Sequence, residues 1–131
     1  QRTTIKYRVP YADTDQMGIV YYSNYLIYFE MLRNELLREA GLPYTEIEKQ
    51  GIMLPVIEAV CKYKSPARYD DLIEISGLVS EIKGARLKIN CEVRMNGKLL
   101  VEGWTVHACV EIASRRPVRP PESLSKLCET N

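Results

Sequence analysis

The segment Asn24 to Ala40, NYLIYFEMLRNELLREA, constrains the fold more than any other stretch of the chain. Ser23 or Asn24 can cap its start, Gly41 suits its end and Pro43 forbids continuation, so a helix of about sixteen residues, roughly 24 Å long, is expected. In its first half Tyr25, Leu26, Ile27, Tyr28 and Phe29 leave no polar face, and a helix apolar all round must be covered on most sides. In its second half Leu32, Leu36 and Leu37 oppose Arg33, Glu35, Arg38 and Glu39. The first turns should therefore be buried deeply and the last should reach the surface.

The cover has to come from strands, because the rest of the chain reads as β. Residues 2–9, 52–63 and 72–82 read as strands, with the turn-rich SPARYDD between the last two. Residues 85–95 alternate: Ala85, Leu87, Ile89, Cys91, Val93 and Met95 share one face, and Arg86, Lys88, Asn90, Glu92 and Arg94 share the other. Asn96-Gly97 then signals a two-residue hairpin loop. That loop predicts Val93 beside Leu100, Ile89 beside Trp104 and Leu87 beside Val106 on the apolar face. It predicts Lys88 beside Thr105 and Arg86 beside His107 on the polar face. The fold class is α+β, a helix against a five-stranded antiparallel sheet. Such a sheet leaves edges that invite pairing, so a homodimer is expected. At 131 residues the chain has the length of a single domain, 1–131.

Several function classes drop out on composition. A net charge of +1 gives no general field for nucleic acid. No apolar run approaches the roughly 18–20 residues of a membrane span, and the start lacks a charged-then-apolar signal segment. Cys61, Cys91, Cys109 and Cys128 form no C-x-x-C pair and His107 is the only histidine, which argues against a metal site. The cysteines read as reduced thiols, mostly buried in strands, of a cytoplasmic protein. No G-x-S-x-G elbow and no nucleotide-binding glycine motif occur, and no cofactor is indicated. His107 falls mid-strand and reads as structural or solvent-facing.

The chemistry points to Tyr11–Tyr25, YADTDQMGIVYYSNY. Asp13 and Asp15 precede Gly18, and the helix begins a few residues on. The first backbone N–H groups of a helix lack intrahelical partners and can polarise a carbonyl oxygen. A carboxylate beside such donors suits attack on an acyl carbonyl. From spacing alone, the favoured reading is that both aspartates shape an Asx-rich turn.

The stretch DTDQMGIVYYSNYLIYFEMLR resembles the signature of the hydroxybenzoyl-CoA thioesterase family, including its YbgC-like acyl-CoA thioesterases. YKSPARYDD and RPVRPPESL are similar to further family motifs, so the resemblance runs through almost the whole chain in order. It implies the hot-dog fold, a long central helix wrapped by a curved antiparallel sheet, assembled as a dimer or a dimer of dimers. It implies acyl-CoA hydrolysis with Asp15 as the essential carboxylate, Gly18 permitting close backbone approach, and amides near Tyr22 holding the thioester oxygen. Tyr22 follows the hydroxybenzoyl-CoA enzymes, where many YbgC-like members carry His. Glu30 matches a helix position that contacts the acyl group in the aromatic-substrate enzymes; it can equally pair with Arg33 or Arg38. Lys83, Arg86, Arg115, Arg116 and Arg119 are the expected contacts of the CoA phosphates, while the last three can equally form a solvated tail. A thioesterase acting on acyl carrier protein, and a non-catalytic acyl-binding scaffold, are the competing functions.

Overall fold

The computed structural model describes residues 2–129. In chain order it contains β1 (Thr3–Arg8), α1 (Asn24–Glu39), α2 (Tyr44–Lys49), β2 (Ile52–Met53), β3 (Val56–Tyr63), β4 (Leu72–Lys83), β5 (Arg86–Met95), β6 (Lys98–Ala108), β7 (Val110–Glu111) and α3 (Glu122–Glu129). Five strands form one antiparallel sheet in the order β1-β4-β5-β6-β3; β2 and β7 pair separately. The 16-residue α1 packs on this sheet and touches all five of its strands. Tyr28, Phe29, Leu32 and Leu37 from α1 meet Ile73, Ile75, Leu87, Ile89 and Val93 in one continuous core.

The predicted strand 52–63 breaks at Pro55, which has no N–H to give a ladder, so β2 leaves the main sheet. Two helices escaped the sequence reading. Six-residue α2 follows Pro43, and α3 closes the chain against β4 with Leu124 fully buried. Gly41 ends α1 at φ +77°, as expected of a left-handed position. Neither Ser23 nor Asn24 caps the start of α1 with its side chain. The first turns of α1 are also less covered than their composition implies: Tyr25, Tyr28 and Phe29 are buried, but Leu26 and Ile27 are 40% and 53% exposed.

The hairpin register departs from the prediction after two pairs. Met95 faces Lys98 and Arg94 faces Leu99, but Val93 then faces Val101, so Leu100 is an extra residue, a β-bulge. From there β6 is displaced by one: Cys91 faces Gly103, Ile89 faces Thr105, Leu87 faces His107, Lys88 faces Val106 and Arg86 faces Ala108. A slip of one exchanges the faces of the whole strand. Thr105 and His107 are therefore turned into the protein, and Trp104 and Val106 outward. The Trp104 ring lies under the ammonium groups of Lys62 and Lys88, at 5.4 and 4.4 Å from its centre, and its Nε1–H donates to Glu58.

A line of small residues crosses the full sheet. Thr3 faces Gly77, Gly77 faces Cys91, Cys91 faces Gly103 and Gly103 faces Cys61. A Cβ at Gly77 would come within 2.6 Å of Leu32 Cδ2 and 2.2 Å of the Asn90 carbonyl oxygen. The absent side chain is what lets α1 and the neighbouring strand approach so closely.

Candidate active site

The loop before α1 is organised by its two aspartates in different ways. Asp15 forms an Asx turn: its Oδ1 accepts the Met17 N–H at 2.8 Å and the Ile19 N–H at 3.4 Å. No donor among the described residues reaches its other oxygen, Oδ2. The Asp15 backbone pairs with Ile19 O and, through its carbonyl, with the Gly18 N–H. Gly18 makes this reversal at φ +79°. A Cβ there would meet nothing within 4 Å, so the glycine answers the backbone angle of the turn and not crowding inside this chain.

Asp13 reaches further. Its Oδ2 accepts the Tyr7 hydroxyl at 3.1 Å and the Tyr28 hydroxyl at 2.7 Å, and its carbonyl accepts the Tyr21 N–H and the Asn24 Nδ2–H. Burial, and then the bond to Asp13, push the Tyr28 hydroxyl well above its ordinary pKa.

At the start of α1 the N–H groups of Asn24, Tyr25 and Leu26 turn back to the carbonyls of Tyr21, Tyr22 and Ser23. The amides of Tyr22 and Ser23 have no acceptor among the described residues. The bare donors thus lie one turn earlier than the helix proper, at the residue the resemblance indicated. Tyr63 braces this turn by donating its hydroxyl to the Tyr22 carbonyl at 3.2 Å.

A cavity of about 260 Å³ opens between α1 and strands β3 and β6, lined by Leu26, Ile27, Phe29, Val56 and Ala59 with a polar end of Glu30, Arg33, Thr105 and His107. His107 is 1% exposed. Its Nδ1 lies 3.1 Å from the Leu54 carbonyl, which can only accept, so the proton sits on Nδ1. Nε2 is then the acceptor for the Thr105 hydroxyl at 2.9 Å. Burial holds the imidazole below its ordinary pKa, with the nearby Arg33 cation acting in the same direction; the Leu54 bond and the Glu30 carboxylate oppose it. The histidine is structural, as expected, but inward-facing. Glu30 pairs with Arg33 at 3.6 Å, and Arg33 Nε is buried without a partner. Glu30 was expected here, but Thr105 and His107 were missed because the expected register turned these strand residues outward. Three successive apolar residues in β6, Leu99-Leu100-Val101, were the available signal of the bulge.

The five expected phosphate contacts do not meet Asp15 within one chain. Lys83 faces Arg86 across the β4–β5 turn. Cys109 N–H donates to Ala85 O and Val118 N–H to Cys109 O, which brings the 115–119 strip to the same end of the sheet. That strip is no loose tail, since Pro120 and Leu124 are buried behind it. Tyr22 and Tyr63 belong to the opposite end, where Tyr63 faces Val101. Seven residue-to-residue steps along β6 lead from Val101 to Ala108, about 24 Å at ~3.4 Å each. Among the described residues no group of three His, Cys, Asp or Glu could hold a metal ion, and no helix is long and apolar enough to cross a membrane. All four cysteines are free thiols.

Residues 9–127 match the family model of the thioesterase-like superfamily. The chain is 34% identical to the acyl-CoA thioesterase YbgC of Haemophilus influenzae, over 89% of its own length and 87% of the relative's. A hypothetical protein from Thermus thermophilus superposes with a TM-score of 0.88 at 36% identity, covering 97% of this chain and 98% of that one. A DHNA-CoA thioesterase from Staphylococcus aureus superposes with a TM-score of 0.90 at 28% identity, covering 99% and 93%. With this sheet, this helix and this loop, the chain belongs to the thioesterase-like superfamily and shares its hot-dog fold.

Proposed function

We infer that the chain hydrolyses acyl-CoA thioesters to the free acid and coenzyme A, with Asp15 as the reacting carboxylate. The observation that carries this reading is the division of labour between its two oxygens. Oδ1 is engaged by the loop; Oδ2 is not, in the same short loop that leads to the bare amides of Tyr22 and Ser23. Those amides would hold the thioester oxygen as negative charge develops on it. Oδ2 would either attack the carbonyl carbon, expelling CoA thiolate and leaving a mixed anhydride for water to cleave, or take a proton from the water that attacks. In both routes a thiolate with a pKa near ~8.5 leaves without a general acid, so no cofactor or metal is required.

The cavity beside α1 suits the acyl group, with Glu30 at its polar end. At about 260 Å³ it falls just below the usual range for sites that take drug-sized ligands, which fits a short chain or a single ring. The exposed Leu26, Ile27 and Val56 line it and the sheet edge β3 borders it. A second copy covering this face would complete the pocket, giving a homodimer, and two dimers could join as a tetramer. Lys83, Arg86, Arg115, Arg116 and Arg119 would hold the CoA phosphates, through the partner copy where one chain's own strip is too far from its Asp15. We place the enzyme in the cytoplasm as a single domain. An acyl carrier protein, with its acidic surface, is the second substrate that this basic end would favour.

The test is a thiol-release screen over short, medium, branched and aromatic acyl-CoAs, repeated with an acyl carrier protein thioester. Release from at least one CoA thioester, lost in Asp15→Asn, is expected. Tight binding without release from any of them would instead identify an acyl-binding scaffold. Sedimentation at micromolar concentration checks the assembly, and a stable monomer would exclude the shared pocket.

A further inference from the structure

A turn-forming aspartate bonds to backbone close behind it, as Asp15 does with Met17. Asp13 does not. The four hydrogen bonds that it accepts, two at Oδ2 and two at its carbonyl, come from Tyr7 in β1, Tyr21 in the turn, and Asn24 and Tyr28 in α1. They span six to fifteen residues of sequence. Two of the donors, the Tyr28 hydroxyl and the Asn24 amide, stand one turn apart on the same helix, so they fix the loop to α1 in position and in angle. The Tyr21 N–H ties in the residue immediately before the bare amides of Tyr22 and Ser23. On the other side, Asp13 is two residues from Asp15, and the intervening Thr14 is held by its bridge to Val20. Asp13 therefore ties the loop that carries the reacting carboxylate both to α1 and to the residue before the bare amides, beside the link that Ile19 makes along the chain.

We propose that Asp13 is a positioning residue that sets the separation between the Asp15 carboxylate and the Tyr22 and Ser23 amides. It contacts no reacting atom. The proposal rests on the assignment of Asp15 and those amides above. Its leverage comes from geometry: displacing a reacting group by about 1 Å can cost about 10²-fold in rate while leaving remote substrate contacts intact. The two tyrosyl hydroxyls donate to one oxygen, Oδ2, so an amide oxygen in the same place can serve both.

The test compares Asp13→Ala, Asp13→Asn and Asn24→Ala in the full chain, using the acyl-CoA that the wild type hydrolyses best. Asp13→Ala should lower kcat by about ten- to a hundredfold with KM within about threefold, and Asp13→Asn should restore most of it. Asn24→Ala removes one bond to the Asp13 carbonyl and leaves both carboxylates in place. It should lower kcat by about three- to tenfold, and it carries the test if Asp13→Ala does not fold. A spectroscopic readout separates positioning from general loosening. In an Asp15→Asn background, which holds substrate uncleaved, the thioester C=O stretch of bound acyl-CoA should fall below its value in free solution. Adding Asp13→Ala or Asn24→Ala should return it towards that value. Unchanged kcat in folded variants, a carbonyl shift that neither variant alters, or a KM that rises in step with the loss of kcat would overturn the proposal. Normal turnover by Asp15→Asn alone would instead remove the assignment on which it rests.

Discussion

Replacing Asp15 in two ways separates what its carboxylate does for the loop from what it does for the substrate. In Asp15→Asn an amide oxygen can take the place of Oδ1 and keep the Met17 and Ile19 N–H groups. A charged acceptor contributes about 1.5–3 kcal/mol and a neutral one about 0.5–1.5. The Met17 bond at 2.8 Å carries most of this and the Ile19 contact at 3.4 Å little. The expected loss is about 1 kcal/mol, or roughly 4 °C in Tm for a chain of this size. The new Nδ2 replaces Oδ2, which has no donor among the described residues to forfeit. Asp15→Ala abandons both N–H groups, one of them exposed to water, and should cost about 2 kcal/mol. Activity should follow a different order. Both variants lack the reacting oxygen, so both should lose at least ~10²-fold in kcat, about 2.7 kcal/mol of barrier. Thermal melts and thiol release on the same preparations check the two scales. If activity tracks stability, with Asn near normal and Ala strongly impaired, Asp15 is a turn residue and the mechanism fails.

Gly103→Ala would place a Cβ 1.9 Å from the Val60 carbonyl oxygen, so β3 must move away from β6; a loss of about 3 kcal/mol or more in denaturant titration is expected. By contrast, Gly97→Ala meets open space at φ +81° and should cost only about 1 kcal/mol. His107 is held neutral in the folded chain, its pKa depressed from 6.5, so the unfolded chain binds the extra proton. Its contribution is complete above about pH 6.5 and is lost as pH falls through the interval down to the folded value; melts between about pH 5 and 7.5 should show His107→Gln with a flatter acid limb. Arg115→Ala, Arg116→Ala and Arg119→Ala should raise KM for acyl-CoA more than they lower kcat, with a smaller effect on a thioester lacking the nucleotide. Equal losses on both substrates would assign the strip to folding.

Much of the scaffold was legible because it rests on local rules. The helix Asn24–Glu39 followed from its apolar content and from Gly41 and Pro43, and β5 followed from its alternation. The loop of Asp13, Asp15 and Gly18 was located by motif, and its Asx turn by chemistry. What escaped was set by tertiary contacts. Leu26 and Ile27 look like core residues in sequence, yet the described residues leave them 40% and 53% exposed. His107 and Thr105 look like solvent-facing residues, yet they satisfy one another and Leu54 inside the protein. Asp13 resembles any turn aspartate until Tyr7 and Tyr28 are brought to it from two other elements. The basic residues were found singly, but only the link Ala85–Cys109–Val118 shows that the two groups share one end of the sheet.

The loop of a β-hairpin is usually where a chain gains or loses residues at little cost. The bulge at Leu100 removes that freedom from the β5–β6 hairpin. Its carbonyl accepts the N–H groups of both Lys64 and Ser65, so the extra residue also ends β3 and starts the chain towards Ala67, whose N–H meets the Tyr25 hydroxyl. Deleting Leu100 would let Val101 follow Leu99 into the simple pairing opposite Val93, so Thr105 and His107 would still face inward; straightening the strand with every residue kept would instead turn Trp104 and Val106 inward. A natural relative one residue shorter here should therefore lose the bulge, and with it the carbonyl that ends β3, while keeping inward the residues that correspond to Thr105 and His107. The spacing from Asn96-Gly97 to Val101 is thus a count tied to the bulge: with the bulge it gives the cavity its wall, and without it the same count would turn that wall to the outer face of the sheet.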